Sequence, residues 1–280
     1  LREYCDVVYL ERTEGVSSTK IREGNQFINI GILGYNVNAA KFIEEIKYVS
    51  GIQVKGMFDY DDLTKLKKYN FEIIAKDFNE LLENVDAVYI NVAPSLRYDL
   101  IKKSLGYGKH VISESPISLN QKEAKELYAL ADQNDVVLFE AIKTAYSLAF
   151  NRLVVLLKSE IIGNIKLIEA TCTSLQSKSI WVYNREKGGG SLTGWGPIAL
   201  LAIFKILGTE YENYEFKSYY NKDTEVDLFT RVELLYKDAI GTVNVGLGIK
   251  SEGDLKISGT KGYIYVPSPW WKMDYFEARF

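Results

Sequence analysis

The side chains of this chain that can move protons or hold charge at a site are few enough to weigh one by one. Its single histidine, His110, and its two cysteines, Cys5 and Cys172, exclude histidine-dependent triads, multi-histidine metal sites, a structural zinc site and a disulfide framework. Both cysteines read as reduced and structural, and His110, in Gly108-Lys109-His110-Val111 at the mouth of an apolar strand, reads as a packed or capping residue. Acid and base chemistry therefore falls to lysine, tyrosine and carboxylates. Lys143 and Tyr146 follow the last apolar strand of the first half, and Tyr183 and Lys187 stand just before a glycine run. A lysine serves as a base when desolvation or a nearby cation lowers its pKa. Each of these four residues also has a solvated or structural reading. Arg97 suits either an anionic substrate group or a surface ion pair.

A second constellation is Gly31-Ile32-Leu33-Gly34-Tyr35-Asn36-Val37-Asn38-Ala39, where an apolar strand gives way to a helix. A helix start offers N–H groups and the positive end of a dipole to a pyrophosphate. In the Gly-x-Gly-x-x-Gly/Ala pattern the second glycine lets the backbone approach the phosphates, and Asn36 holds that place. Asparagine tolerates positive φ, but its side chain occupies the space the ligand needs. Asp59 ends the next strand, about 20 residues on, where an acid binds the ribose hydroxyls. Asp61 and Asp62 beside it disfavour an added 2′-phosphate, so NAD is expected over NADP. Asp59 and Asp61 suit equally well the cap and first turn of the following helix.

The elements around these residues follow from hydrophobic period. Residues 28 to 33 and 86 to 92 are short apolar runs bounded by turn formers, as buried parallel strands are. Helical spacing over 38 to 49, 61 to 69, 78 to 84, 95 to 107 and 120 to 134 alternates with strands, which predicts βαβ units in a doubly wound parallel sheet. After about residue 145 the rhythm changes. A helix near 147 to 160 precedes strands at 164 to 174, 214 to 220, 226 to 236, 240 to 248, 253 to 258 and 262 to 266, and Trp195 to Leu207 reads as a buried helix after a tight turn. The fold class is thus α/β: a Rossmann-type doubly wound parallel sheet, then an α+β domain with an open, mostly antiparallel sheet. Residues 1 to 26 form an appendage, 27 to 145 the nucleotide-type domain and 146 to 280 the second domain. Apolar alternation at Leu228 to Leu235 and Thr242 to Ile249 suggests a sheet covered on both sides, and Trp270, Trp271, Tyr275 and Phe276 are expected to pack on an interface or a neighbouring domain.

With 47% hydrophobic residues, a formal charge of -3 and a pI near 5.5, the chain can bury a large core and shows no basic patch for nucleic acid or anionic membranes. It has no apolar run of the roughly 20 residues a membrane span requires, and a cytoplasmic location is expected.

Several stretches together resemble the Gfo/Idh/MocA (glucose-fructose oxidoreductase and inositol dehydrogenase) family: Ile30 to Ala39, Asp86 to Ile90 with Ala93-Pro94-Ser95, Gly108 to Val111 running into Glu114-Ser115-Pro116, Gly163-Asn164-Ile165, Gly188 to Gly196 and Ser258 to Gly262. The resemblance implies hydride exchange between bound NAD or NADP and a sugar, polyol or related compound. It places the cofactor against Gly31, Gly34, Tyr35, Asn36, Val37, Asp59, Ala93, Pro94 and Glu114, and the chemistry near Glu114 and Ser115. The family's Glu-Lys-Pro lysine, its aspartate and its histidine or tyrosine after the triple glycine correspond to Ser115, Gly194 and Ile198, so the usual proton relay is missing and Lys143 or Tyr183 are the candidate substitutes. Resemblance also implies a homodimer or tetramer through the second sheet.

Val7 to Leu10 with Arg12 to Arg22 is similar to the C-terminal end of glycerol-3-phosphate cytidylyltransferases, although the His-x-Gly-His motif of that family is absent. This implies a piece cut from a longer polypeptide in which a cytidylyltransferase comes first. Three functions remain open: an NAD-dependent oxidoreductase acting on a sugar or polyol phosphate, a degenerate relative that serves as a nucleotide-binding or oligomerisation module for the fused enzyme, or a structural domain with no ligand.

Overall fold

The computed structural model describes residues 27–60, 69–175 and 181–280. The appendage, Cys5, Asp61 and Asp62 lie outside these residues, as does the helix expected over 61 to 69 apart from Tyr69.

In the first half, strands β1 (Ile28–Leu33), β2 (Ile52–Phe58), β3 (Ile73–Ile74), β4 (Ala87–Ile90), β5 (His110–Ser113) and β6 (Leu138–Glu140) form one sheet in the order β3-β2-β1-β4-β5-β6. All neighbours are parallel. Helix α1 (Val37–Glu45) covers one face, where Ala39 and Ile43 meet Ile30, Ile32, Met57 and Tyr89. Helices α2 (Phe78–Glu83), α3 (Pro94–Gly106) and α4 (Gln121–Gln133) cover the other through Leu81, Ile101, Leu105 and Leu127. The apolar strands are buried on both sides, which is why they read as continuous hydrophobic runs. His110 is exposed and its Nδ1 accepts the Val137 N–H at 3.0 Å, a capping role.

After helix α5 (Leu148–Leu157), the second half is a seven-stranded sheet in the order β13-β12-β11-β7-β10-β9-β8, made of β7 (Ile165–Thr173), β8 (Asn213–Tyr220), β9 (Asp227–Leu235), β10 (Ile240–Gly246), β11 (Leu255–Gly259), β12 (Tyr263–Val266) and β13 (Glu277–Arg279). Among the described residues of this sheet, only β7 and β10 pair in parallel. Helix α6 (Ser191–Leu207) and α5 press Ala199, Ala202, Ile203, Phe150 and Leu153 onto one face. The sequence suggested cover on both faces. Thr230, Val232 and Leu234 of β9 do turn to the helices, but Arg231 between them is exposed and Glu233 is only half-buried. One buried face is enough to produce the alternation.

One expectation at the C-terminal end is corrected. Trp270 is not an interface residue: it is fully buried in the second core, and its indole N–H donates to the Thr171 carbonyl at 3.1 Å. Trp271 packs on Trp195 of α6, with ring centroids 4.9 Å apart, and its carbonyl accepts the Thr144 hydroxyl at 2.9 Å, joining the two halves. A Trp270→Ala variant should lose about 3–5 kcal/mol of stability, because the cavity cannot collapse inside a sheet-on-helix core; the midpoint of urea unfolding followed by fluorescence and circular dichroism measures this.

Candidate active site

The parallel sheet leaves the C-terminal ends of β1, β4, β5 and β6 in one row, the position where open α/β sheets bind ligands. At the end of β1, Gly34 adopts φ +88 and a Cβ there would lie 2.5 Å from the Asn91 carbonyl oxygen, so only glycine permits this close approach to the end of β4. The Tyr35 N–H donates to the Asp59 carboxylate at 2.6 Å, which ties the loop to the end of β2. Asp59 therefore anchors the loop, and the helix it was also expected to cap lies outside the described residues. Val37 at the helix start is 72% exposed and open to a ligand. Gly31 belongs elsewhere: it lies inside β1, and its missing Cβ makes room for Leu81 of α2 rather than for a phosphate.

Asn36 differs from expectation in its backbone. With φ -150 and ψ -168 it is extended and needs no left-handed conformation. Its side-chain oxygen caps α1, accepting the N–H groups of Asn38 at 2.7 Å and Ala39 at 3.3 Å. The loop otherwise suits a dinucleotide, with its glycine cradle, its helix start and an acid at the end of β2. The donors that would meet the phosphates are nevertheless occupied by this carboxamide.

Beyond β4, Ala93 and buried Pro94 open helix α3, and Pro94 meets the triple-glycine turn: a Cβ on Gly188 would stand 3.1 Å from it. Arg97, one turn into α3, overturns both of its sequence readings. It is 3% exposed, so it forms no surface ion pair. Its Nε donates to the Val92 carbonyl and its Nη1 to the Pro116 carbonyl, each at 2.9 Å, while Trp181 of the second half covers the guanidinium at 5.9 Å. A group so committed to the backbone is a clamp, not a substrate hook. Desolvation pushes its pKa down to about 10, opposed by the Glu114 and Glu140 carboxylates and by Tyr89.

Glu114 follows β5. Its Oε1 accepts the hydroxyl of buried Tyr89 in a very short hydrogen bond and lies 3.8 Å from the Lys143 ammonium. Burial, and secondarily this carboxylate, raise the Tyr89 pKa far above the usual phenol range, so Tyr89 stays a hydrogen-bond donor. Lys143, in a short 3-10 turn after β6, is 66% exposed, and such an ion pair contributes at most about 1 kcal/mol. Its value is positional: an ammonium beside a carboxylate at the mouth of the crevice. Ser115, at the family's lysine place, donates to Glu140 Oε1 at 2.6 Å. The sequence singled out Glu114, Ser115 and Lys143 separately, and the structure gathers them at adjacent strand ends.

It does not gather the others in the same way. The Tyr183 hydroxyl donates to the Leu247 carbonyl at 3.0 Å, just past the end of β10. Tyr146 is exposed and lies tilted against the Phe139 ring, and Lys187 presents its carbonyl to the Ser95 N–H at 3.3 Å. Gly194 on α6 is surrounded by open space, since a Cβ there would meet nothing within 4 Å, and Ile198 packs toward the second core. Helix α6 begins four residues before the predicted Trp195. The Asp227 carboxylate, from the distant start of β9, takes the Ser191 hydroxyl and the Leu192 N–H at 2.9 Å and so caps it. Sequence reasoning missed Tyr89, Asn91, Glu140 and Asp227. A polar residue closing an apolar run was the available signal for Asn91 and Glu140; Tyr89 and Asp227 carried none.

Comparison with known proteins agrees with this architecture. Residues 28–142 match the model described as oxidoreductase family, NAD-binding Rossmann fold (GFO_IDH_MocA). Trans-1,2-dihydrobenzene-1,2-diol dehydrogenase of Xenopus tropicalis is 25% identical over 205 residues, 72% of this chain, which thus spans only 60% of that relative's length. Among solved structures, KijD10, a 3-ketoreductase from Actinomadura kijaniata in complex with NADP and TDP-benzene, superposes with a TM-score of 0.79 at 21% identity, covering 86% of this chain and 77% of that one. GenD2 from gentamicin A biosynthesis, in complex with NAD, gives 0.81 at 18% identity, covering 86% and 72%. Residues 28–142 are thus similar to the NAD-binding Rossmann domain of the Gfo/Idh/MocA oxidoreductases, and the two-sheet architecture is the fold of the solved structures compared.

Proposed function

We propose that this chain is the oxidoreductase part of an NAD-dependent enzyme that interconverts a hydroxyl and a carbonyl on a sugar or polyol. The observation that carries the reading is the Lys143–Glu114 pair, which puts an ionisable group at the crevice although Ser115, Gly194 and Ile198 fill the usual relay places. Bound nicotinamide supplies the hydride chemistry. The chain's own residues handle the proton: the Lys143 ammonium offers it from Nζ to a carbonyl oxygen being reduced, Glu114 keeps that ammonium near the reacting group, and Tyr89 holds Glu114 in place from below. Ser115 acts only through Glu140. Tyr183, with its hydroxyl donated to the Leu247 carbonyl, takes no part in the proton transfer. The names of the relatives, a diol dehydrogenase, a 3-ketoreductase and a scyllo-inositol 2-dehydrogenase, support a carbinol substrate.

A second reading, a degenerate relative kept as a binding or oligomerisation module, is favoured by the space left around Gly194 and the donors closed by Asn36. On either reading the similarity of residues 1–26 to a cytidylyltransferase end supports a fused, cytoplasmic partner activity. A polyol phosphate is then the substrate to try, and a dimer or tetramer through the open face of the second sheet is the assembly to look for.

Turnover of polyols and polyol phosphates with NAD decides between the readings. On the enzymatic reading, Lys143→Met should lower kcat/KM by about 10²- to 10⁴-fold, while Tyr183→Phe should leave it nearly unchanged; absence of turnover throughout the screen would favour the module. Asp59 at the end of β2 should also make NADH quench or shift fluorescence at lower concentration than NADPH in a direct titration.

A further inference from the structure

The carboxamide of Asn36 does more than cap α1. Its Nδ2 donates to Asn91 Oδ1 at 2.9 Å, and Asn91 Nδ2 donates back to Asn36 Oδ1 at 2.6 Å, a reciprocal pair of amide hydrogen bonds. Asn91 is 5% exposed and sits directly after β4, whereas Asn36 is exposed on the loop after β1. Strands β1 and β4 are the neighbours at which the strand order reverses. The bridge therefore spans the crevice at the place where an open α/β sheet takes its ligand. Other amides of the loop are also engaged within the protein: Gly34 on the Phe58 carbonyl, Tyr35 on Asp59, and Ala40 on the Asn36 carbonyl.

We infer that Asn36 and Asn91 form a latch that competes with a dinucleotide for the phosphate-binding N–H groups and so sets cofactor affinity in this chain. A single oxygen, Asn36 Oδ1, accepts from Asn38, Ala39 and Asn91, which is the work an anionic phosphate oxygen would do there. Binding requires the carboxamide to swing out and the Asn91 amide to find a new partner. Glycine in place of Asn36 would open the donors without demanding a new backbone conformation, and glycine replaces an asparagine cap at little cost in stability. The latch rests on the nucleotide-binding reading of the domain, and the test separates the two.

The experiment compares wild type, Asn36→Gly and Asn91→Ala, each checked by thermal melting, in titration with NADH and in hydrogen exchange without nucleotide. Both variants should bind NADH about 10-fold or more tightly than wild type, since two or more internal hydrogen bonds no longer compete. In Asn36→Gly the amides of Asn38 and Ala39 should exchange faster than in wild type, a readout independent of turnover. Equal or weaker NADH binding by both folded variants overturns the latch and leaves the nucleotide reading intact. Unchanged exchange at Asn38 and Ala39 overturns it as well. If none of the three proteins binds NADH at millimolar concentration, the latch falls together with the nucleotide reading.

Discussion

Arg97 is a cation taken out of water where three parts of the molecule converge. A buried guanidinium keeps its cost low only if its donors are met, and here the carbonyls of Val92 and Pro116 meet them while Trp181 closes over its face. Val92 belongs to the loop after β4, Pro116 to the loop after β5, and Trp181 to the second half. One side chain thus sets the spacing of the two loops that carry Asn91, Glu114 and Ser115, and binds that floor to the domain that roofs it. The triple-glycine turn reinforces the junction, because Gly188 lies against Pro94 and Leu119 with no room for a side chain. The crevice owes its shape to these contacts more than to either sheet alone.

Within that frame, charge is distributed in a graded way. Arg97 and Tyr89 are buried, Glu114 is mostly buried between Tyr89 and Lys143, and Lys143 reaches solvent. Exposure thus rises along the series, from the buried Tyr89 donor through the Glu114 carboxylate to the Lys143 ammonium. The relay usual in the family would place a lysine where Ser115 now binds Glu140. The lysine nearest to Glu114 in this chain stands instead in the turn after β6, 3.8 Å away. Helix α6 carries the complementary change, with open space at Gly194 where an aspartate would support the relay.

The nucleotide side shows a similar exchange of external for internal partners. Gly34 and Asp59 hold the loop in the form a dinucleotide needs, yet Asn36 turns the helix start inward onto its own side chain. A helix N-terminus is never left unsatisfied in a folded protein; water, a ligand or a capping side chain must take its donors. The cap chosen here is longer than serine or threonine and has a donor of its own, so it can also engage Asn91 across the crevice.

Local sequence determined the elements and their order. Strands read as apolar runs or alternations and helices as three- and four-residue spacings, because burial against a neighbour imposes those periods whatever the neighbour is. The loop after β1, the acid at Asp59 and the absence of the usual lysine, aspartate and histidine were legible for the same reason: each depends on residue identity at one place. Partners far apart in sequence were decided only by the tertiary structure. Asn36 meets Asn91, Asp227 caps a helix that begins at Ser191, Arg97 reaches Pro116, and Trp270 closes a core built from strands a hundred residues earlier. Those pairings arise from which strands lie side by side in each sheet and which helices and loops pack on them, and a hydrogen bond between distant residues leaves no period in the chain for the eye to follow.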